Sequence, residues 1–250
     1  MNNSFLTSLP VAHRGLHGGD IPENTMPAFL AAVKKGYAIE TDVRLSKDGE
    51  LFLFHDDDLS RLTGQSGAFI DFTAEQLKQI KVAGKEHIPT LEEFLKTVNG
   101  QAPILLEIKN VPQRNTKDFV KKVSEAFRSY TGEYAVQSFN PAYVKAYKKL
   151  CPGIACGLLA TAHSCKADFG NSVFWRFKAY AVKHMSFNRF TKPDFISYYF
   201  ADYPNRATEK FKGVKLGWTI RSEKDEAYAR KYCDNIIFEG YEAEILHPFD

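Results

Sequence analysis

Two histidines, His13 and His55, bracket a Glu-x-Asp pair, Glu40 and Asp42, near the start of the chain. Imidazole exchanges its proton near neutral pH, so two of them can serve as general acid and general base. Carboxylates at i and i+2 of a strand point to the same side and can hold one hard cation between them. Acid, base and cation together are the parts needed to hydrolyse a phosphate ester. Glu107 and Lys109 repeat the i, i+2 spacing further on, adding a third carboxylate and a fixed positive charge.

These residues do chemistry only if strands bring them together. Short apolar runs alternate with longer amphipathic stretches, and the main strands fall near residues 12, 40, 106, 136, 156, 196, 217 and 237, with a further extended run at Leu51-Phe-Leu-Phe54. Helices are predicted between them: Asn24 to Lys35, with Phe29, Leu30 and Val33 on one face and Gly36 as the stop; Thr116 to about Tyr130; Pro141 to Leu150; and Glu223 to Tyr232. Eight strands separated by helices predict an α/β fold, a closed (β/α)8 TIM barrel, whose reactive groups stand at the carboxyl ends of its strands. His13 ends the first strand, Glu40 and Asp42 lie near the end of the second, and Glu107 with Lys109 ends the third.

The chain reads as a single catalytic domain over residues 1–250, with an insertion at about residues 56–100 that carries two short helices starting near Thr73 and Thr90 and is too short for a core of its own. A lone histidine is more often structural than catalytic, and Glu107 with Lys109 taken alone reads as a surface ion pair of little weight. Here Ala38, Ile39, Thr41 and Val43 flank the first carboxylate pair, and Leu105, Leu106 and Ile108 embed Glu107. Carboxylates in apolar strands are costly unless paired or bound to metal.

Several motifs together carry a family resemblance: His13-Arg14-Gly15, Pro22-Glu-Asn-Thr25 followed by Ala28-Phe29, Glu40-x-Asp42-Val43, Lys47-Asp48-Gly49, His55-Asp56, Glu107-Ile-Lys109, Gln137-Ser-Phe139 and Gly217-Trp218-Thr219. In order and approximate spacing the sequence resembles the glycerophosphodiester phosphodiesterases, which are (β/α)8 barrels with a small insertion after the second strand. The resemblance implies that Glu40, Asp42 and Glu107 bind one divalent cation, Mg2+ or Ca2+. It further implies that His13 and His55 are the acid–base pair, that Arg14 and Lys109 meet the phosphate, that Asn24 supports the site, and that Phe139 and Trp218 form an apolar wall beside the glycerol. The substrate would be a small glycerophosphodiester, attacked by its own glycerol 2-hydroxyl or by water. Two departures stand out. His17 is an extra imidazole near the mouth, read as structural or exposed, and Ile236-Ile-Phe-Glu239 lacks the Thr-Asp common at the last strand.

Composition narrows the setting. A charge of +3, from 33 Lys and Arg against 30 Asp and Glu, gives no reason to expect nucleic acid as a partner. The N-terminus lacks the pattern of a secretory signal, no apolar run is long enough to span a bilayer, and the four cysteines form no Cys-x-x-Cys pair. The expected location is the cytoplasm, with reduced thiols. Residues 163–192 interleave basic and aromatic side chains, either a barrel helix with a solvated face or a surface for peripheral membrane contact. The competing functions are a lysophospholipase D-like activity on lysophospholipids, a two-histidine phosphoinositide phospholipase, and a non-catalytic barrel binding protein. A glycosidase would leave both histidines without a role.

Overall fold

Period-two alternation positions everything else in this molecule. The computed structural model describes residues 4–111, 114–161, 186 and 188–245; the basic, aromatic segment singled out above lies outside them except for residues 186 and 188–192. Its strands are β1 (Val11–Ala12), β2 (Ala38–Leu45), β3 (Leu51–Leu53), β4 (Lys81–Val82), β5 (Glu86–His87), β6 (Ile104–Ile108), β7 (Tyr134–Ser138), β8 (Ala155–Ala160), β9 (Phe195–Tyr199), β10 (Val214–Ile220) and β11 (Asn235–Phe238). All but β3, β4 and β5 run parallel, and β1 pairs with both β11 and β2, which closes an eight-stranded barrel. The eight strands are those expected from the sequence.

Inside the barrel one layer is apolar. Val11, Ala38, Leu105, Ala135, Ala155, Phe195, Leu216 and Ile237, one from each strand, pack into a single cluster, with Phe5 and Leu6 of the N-terminal turn of helix beneath them. Asn235 ties that floor down by donating to the carbonyls of Phe5 and Leu9. Two residues further along each strand stands the next inward position: His13, Glu40, Glu107, Gln137, Gly157, Ser197, Trp218 and Glu239. The outward residues Ile39, Val43, Ile104, Leu106 and Ile108 belong instead to the main core between sheet and helices. The alternation therefore sets a polar layer directly on an apolar plug.

β2 runs three residues past Asp42 rather than ending beside it. Ile39 to Val43 pair with β6, whereas Val43 to Leu45 pair antiparallel with β3. The excess turns through Lys47-Asp48-Gly49 and leads the chain back to His55. Helix boundaries differ from expectation at both kinds of end. The first long helix spans Met26–Lys35 because Asn24 takes a left-handed φ of 52° to serve the barrel mouth; it buries Ala28, Phe29 and Ala32, while Leu30 is exposed. The helix expected to reach Tyr130 is Thr116–Ala126, after which the amides of Arg128 and Tyr130 bond three residues back and tighten the chain into turns. The last is Glu223–Ala229.

Between β3 and β6, Ala74–Gln79 and Leu91–Val98 each begin at a threonine, Thr73 or Thr90, with a reciprocal capping box to Gln76 or Glu93. Phe69, Leu77, Ile80, Val82 and Ile88 of this stretch form a satellite cluster with Phe52 and Phe54. The segment thus borrows aromatics from the β3 hairpin instead of closing a core alone.

Gly157 shows how tightly the two inner layers meet. A Cβ built there would lie 2.1 Å from the ring of Phe195, two residues before Ser197, whose hydroxyl donates to Gln137 Oε1 at 2.7 Å. Phe195 is fully buried. Gly157→Ala is therefore expected to cost about 1–3 kcal/mol, the usual scale of overpacking, and Phe195→Leu in the same chain should recover part of it. Denaturant midpoints of the two variants check this; an undiminished midpoint for Gly157→Ala contradicts it.

Candidate active site

Three carboxylates converge at the carboxyl end of the barrel. Asp42 and Glu107 are direct register partners on β2 and β6, and Glu40 is two residues before Asp42 on the same inward face. One oxygen from each lies within 4.8 Å of the others, and all three residues are buried. Burial, then the Asp42 and Glu107 charges, push the Glu40 carboxyl well above its ordinary value. Burial would raise Asp42 too, but Lys109, His55 and Arg14 outweigh it and hold Asp42 ionised far below the usual carboxylate range. Asp42 Oδ1 has no hydrogen-bond partner although it is buried. Three hard oxygen donors, one of them without a hydrogen bond, fit a hard divalent cation; soft-metal donors such as thiolates are absent from this group.

Lys109 stands beside the triad, its ammonium 2.9 Å from Glu107 Oε1 and 3.4 Å from Asp42 Oδ1. Burial opposes its charge, but Glu107 and Asp42 prevail and raise its pKa. Arg14 reaches the opposite side. Its backbone N–H donates to Glu40 Oε2 at 2.9 Å, its Nη1 to Glu23 at 2.6 Å, and its Nε is 3.6 Å from Asp42 Oδ2. The His-Arg-Gly turn permits this: Arg14 and Gly15 both have positive φ, and a Cβ on Gly15 would lie 2.8 Å from the backbone of Ala28. Asn24 donates to Asp42 Oδ2 at 2.9 Å and accepts from the Thr41 hydroxyl at 2.7 Å.

The two imidazoles are held alike. His13 follows β1, its N–H bonded to the Phe238 carbonyl, and its Nδ1 makes a short contact with Glu239 Oε2. His55 Nδ1 lies 2.7 Å from Asp56 Oδ1. A carboxylate on Nδ1 makes that nitrogen the donor and leaves Nε2 to exchange a proton; for His13 that Nε2 is 4.0 Å from Glu40 Oε2. Burial pushes the His13 imidazole down to about 4, against the raising effect of Glu239 and aided by Arg14. The ring is thus neutral at pH 7.

His55 sits in the loop after β3, and Arg44 fixes it. The buried Arg44 side chain donates from Nε at 2.9 Å and Nη2 at 2.5 Å to the His55 carbonyl, and from Nη1 at 2.5 Å to Asp57. A second chain of charges joins the loops: Asp56 to Arg61, Arg61 by two nitrogens to Glu23, and Glu23 to Arg14. Across the mouth Phe139 meets Trp218 edge-on at 5.6 Å, Tyr199 joins Trp218 at 5.8 Å, and the indole N–H donates to the Ser197 carbonyl.

Every candidate residue taken from the sequence therefore lies at this end of the barrel. Sequence reasoning missed four that organise it: Glu239, Arg44, Glu23 and Arg61. Glu239 was in reach, since it follows β11 as His13 follows β1, and the strand-end rule applies to both. Glu23 lies inside Pro22-Glu-Asn-Thr25, a motif quoted for the family resemblance with a role given only to Asn24. Arg44 and Arg61 gave no local signal.

Comparison with known proteins places this geometry among relatives. The sequence matches the glycerophosphoryl diester phosphodiesterase family over residues 13–232. A glycerophosphodiester phosphodiesterase of Caldanaerobacter subterraneus is 32% identical, with 96% of this chain and 97% of that protein covered. The crystal structure of a glycerophosphodiester phosphodiesterase from Thermotoga maritima superposes with a TM-score of 0.69 at 25% identity, covering 92% and 94% of the two chains. The structure of an Oleispira antarctica phosphodiesterase in complex with the product sn-glycerol-3-phosphate superposes with a TM-score of 0.75 at 24% identity, covering 92% and 93%.

The Arg44 grip generates a test. Lysine keeps the charge but cannot reach both the His55 carbonyl and Asp57 with a planar fork. Arg44→Lys is expected to lower kcat by about 10- to 100-fold, the scale on which small misplacements act, with circular dichroism showing a folded barrel. A folded variant with full kcat would contradict the positioning of His55 by Arg44.

Proposed function

The chain is an enzyme, a member of the glycerophosphoryl diester phosphodiesterase family, and from that premise we propose that it cleaves a glycerophosphodiester into glycerol 3-phosphate and an alcohol by proton transfer between His13 and His55 beside one divalent cation. The observation that carries this reading is the pair of carboxylate-held imidazoles, His13–Glu239 and His55–Asp56, set about the buried carboxylate triad.

Members of this family depend on a divalent metal in general, and Glu40, Asp42 and Glu107 are the residues that would hold it here. When bound, Mg2+ or Ca2+ would supply positive charge toward the phosphoryl oxygens. Lys109 and Arg14 add fixed charge from the two sides and orient the phosphate. Each would share its charge with the carboxylates it already touches.

His13, neutral and with Nε2 free, is suited to take the proton from the attacking hydroxyl, whether of water or of the glycerol 2-position. As the new P–O bond forms, the bond to the departing alcohol breaks, and His55 delivers a proton to that oxygen. Opening of a cyclic phosphate by water would use the same two groups in reverse. Phe139, Trp218 and Tyr199 form an apolar wall against which the carbon skeleton of the glycerol rests. We read residues 1–250 as one catalytic domain and residues at about 56–100 as its insertion, which lends Arg61 to the charge chain behind Arg14.

Among the described residues no helix is long and apolar enough to cross a membrane. The family supports a small-molecule glycerophosphodiester as the first substrate to try. Turnover should appear on glycerophosphocholine or glycerophosphoethanolamine, vanish with EDTA, and return with Mg2+ or Ca2+. His13→Ala and His55→Ala should each lose at least about 100-fold, the contribution of general acid–base assistance. The low proton affinity of His13 also sets a sign. As base it stays neutral until the pH falls toward about 4, so the acid limb of kcat/KM assigned to it should lie well below the ordinary histidine value of 6.5. Hydrolysis of lysophosphatidylcholine alone would replace the glycerophosphodiester reading with the lysophospholipase one. No turnover on either class with either metal would leave a binding protein.

A further inference from the structure

The mechanism above leaves one buried imidazole beside His13 unused. His17 lies in the loop after β1, four residues beyond His13, and its position is fixed by backbone bonds: His17 N–H to the Gly15 carbonyl, and a reciprocal Gly18–Ile21 pair that closes the loop. Its Nε2 is buried and has no hydrogen-bond partner; the nearest carboxylate oxygen, Glu239 Oε2, is 3.6 Å away. That same oxygen meets His13 Nδ1. One ligand atom each from His13, His17 and Glu239 therefore lies within 4.8 Å of the others. The side chains are only 13%, 19% and 17% exposed, enough for an ion to reach them from solvent.

The donor set differs from that of the carboxylate triad. Two imidazole nitrogens and one carboxylate oxygen are the ligands of zinc sites that keep a fourth position open, whereas three carboxylates suit Mg2+ or Ca2+. We propose that His13 Nδ1, His17 Nε2 and Glu239 Oε2 form a second cation site of borderline softness, selective for Zn2+, on the far side of the His13 ring from the triad. Glu239 Oε1 is already engaged by Arg221, whose Nε and Nη2 lie at 2.8 and 2.7 Å. The guanidinium opposes a cation there, so the site binds reversibly and more weakly than a closed structural zinc site.

Occupancy has a consequence for the neighbouring chemistry. A metal on Nδ1 displaces the ring proton from that nitrogen, and a neutral imidazole then carries it on Nε2. His13 can no longer accept a proton where it faces Glu40. Zinc would thus silence the base without touching the Glu40, Asp42 and Glu107 triad. This consequence rests on the role proposed for His13; the binding site does not.

The test titrates ZnCl2 calorimetrically into the full chain held in saturating Mg2+, with turnover measured in parallel. The wild-type protein should take up one equivalent of Zn2+ and lose activity as it does so, and added Mg2+ should not reverse the loss. His17→Gln should weaken Zn2+ binding by at least about 10-fold, since even outer-shell partners of metal sites carry that much, and raise the half-inhibiting Zn2+ concentration in step. Arg221→Ala, which leaves all three ligands in place, should bind Zn2+ more tightly. Equal Zn2+ affinity in wild type and His17→Gln, or displacement of Zn2+ by Mg2+ at one shared site, overturns the proposal. The calorimetric result stands whether or not the substrate panel yields turnover, so failure of the zinc site is distinguishable from failure of the catalytic reading.

Discussion

Three negative charges forced together at the mouth of the barrel are the constraint on which the rest of the structure depends. Two unit charges about 4 Å apart repel by about 4 kcal/mol at the effective dielectric of a protein site, and one oxygen from each of Glu40, Asp42 and Glu107 lies within 4.8 Å of the others. The protein answers with Lys109 on one side, Arg14 on the other, and amide donors from Asn24 and the Arg14 backbone. The answer is incomplete: Glu40 is pushed toward its neutral form, and Asp42 Oδ1 keeps no hydrogen bond. A site so arranged is prepared for a cation rather than satisfied without one.

The barrel makes that concentration of charge tolerable. Alternation places the apolar layer of Val11, Ala38, Leu105 and their partners directly under the carboxylates and so holds the strands in register. The charged residues need no apolar support of their own. The loops that follow the strands are then tied to one another instead of to the core, through Asp56, Arg61, Glu23 and Arg14, with Arg44 gripping the His55 carbonyl. This chain of ion pairs runs from Asp56, beside His55, to Arg14, the residue that follows His13.

Legibility in the sequence followed the physics of each level. The eight strands were readable because each is a short apolar run set off from longer amphipathic stretches, and the triad because Glu-x-Asp and Glu-x-Lys are local. Thr73 and Thr90 marked their helices through capping boxes that lie within four residues. What escaped depends on closure. Glu239 matters only because β11 pairs with β1 and brings the two chain ends side by side, 226 residues apart. Arg44 looks like one more charge on a strand until the hairpin folds His55 back upon it. Leu30 was placed on one face with Phe29 and Val33 by helical spacing, but the geometry of Met26–Lys35 turns it to solvent. Asn24 read as the first residue of that helix, yet its bonds to Asp42 and Thr41 pull it into a left-handed turn.

If charge repulsion within the triad is what the cation relieves, folding stability must report it directly. The most direct measurement is the thermal midpoint of wild type and Glu40→Gln, each metal-free and in saturating Mg2+ or Ca2+. A ligand that binds only the folded state raises the midpoint. The cation should therefore stabilise the wild type, while Glu40→Gln should melt at or above the metal-free wild type and respond far less to added cation. A metal-free Glu40→Gln that melts well below wild type, yet keeps the full cation-induced rise, would contradict the account.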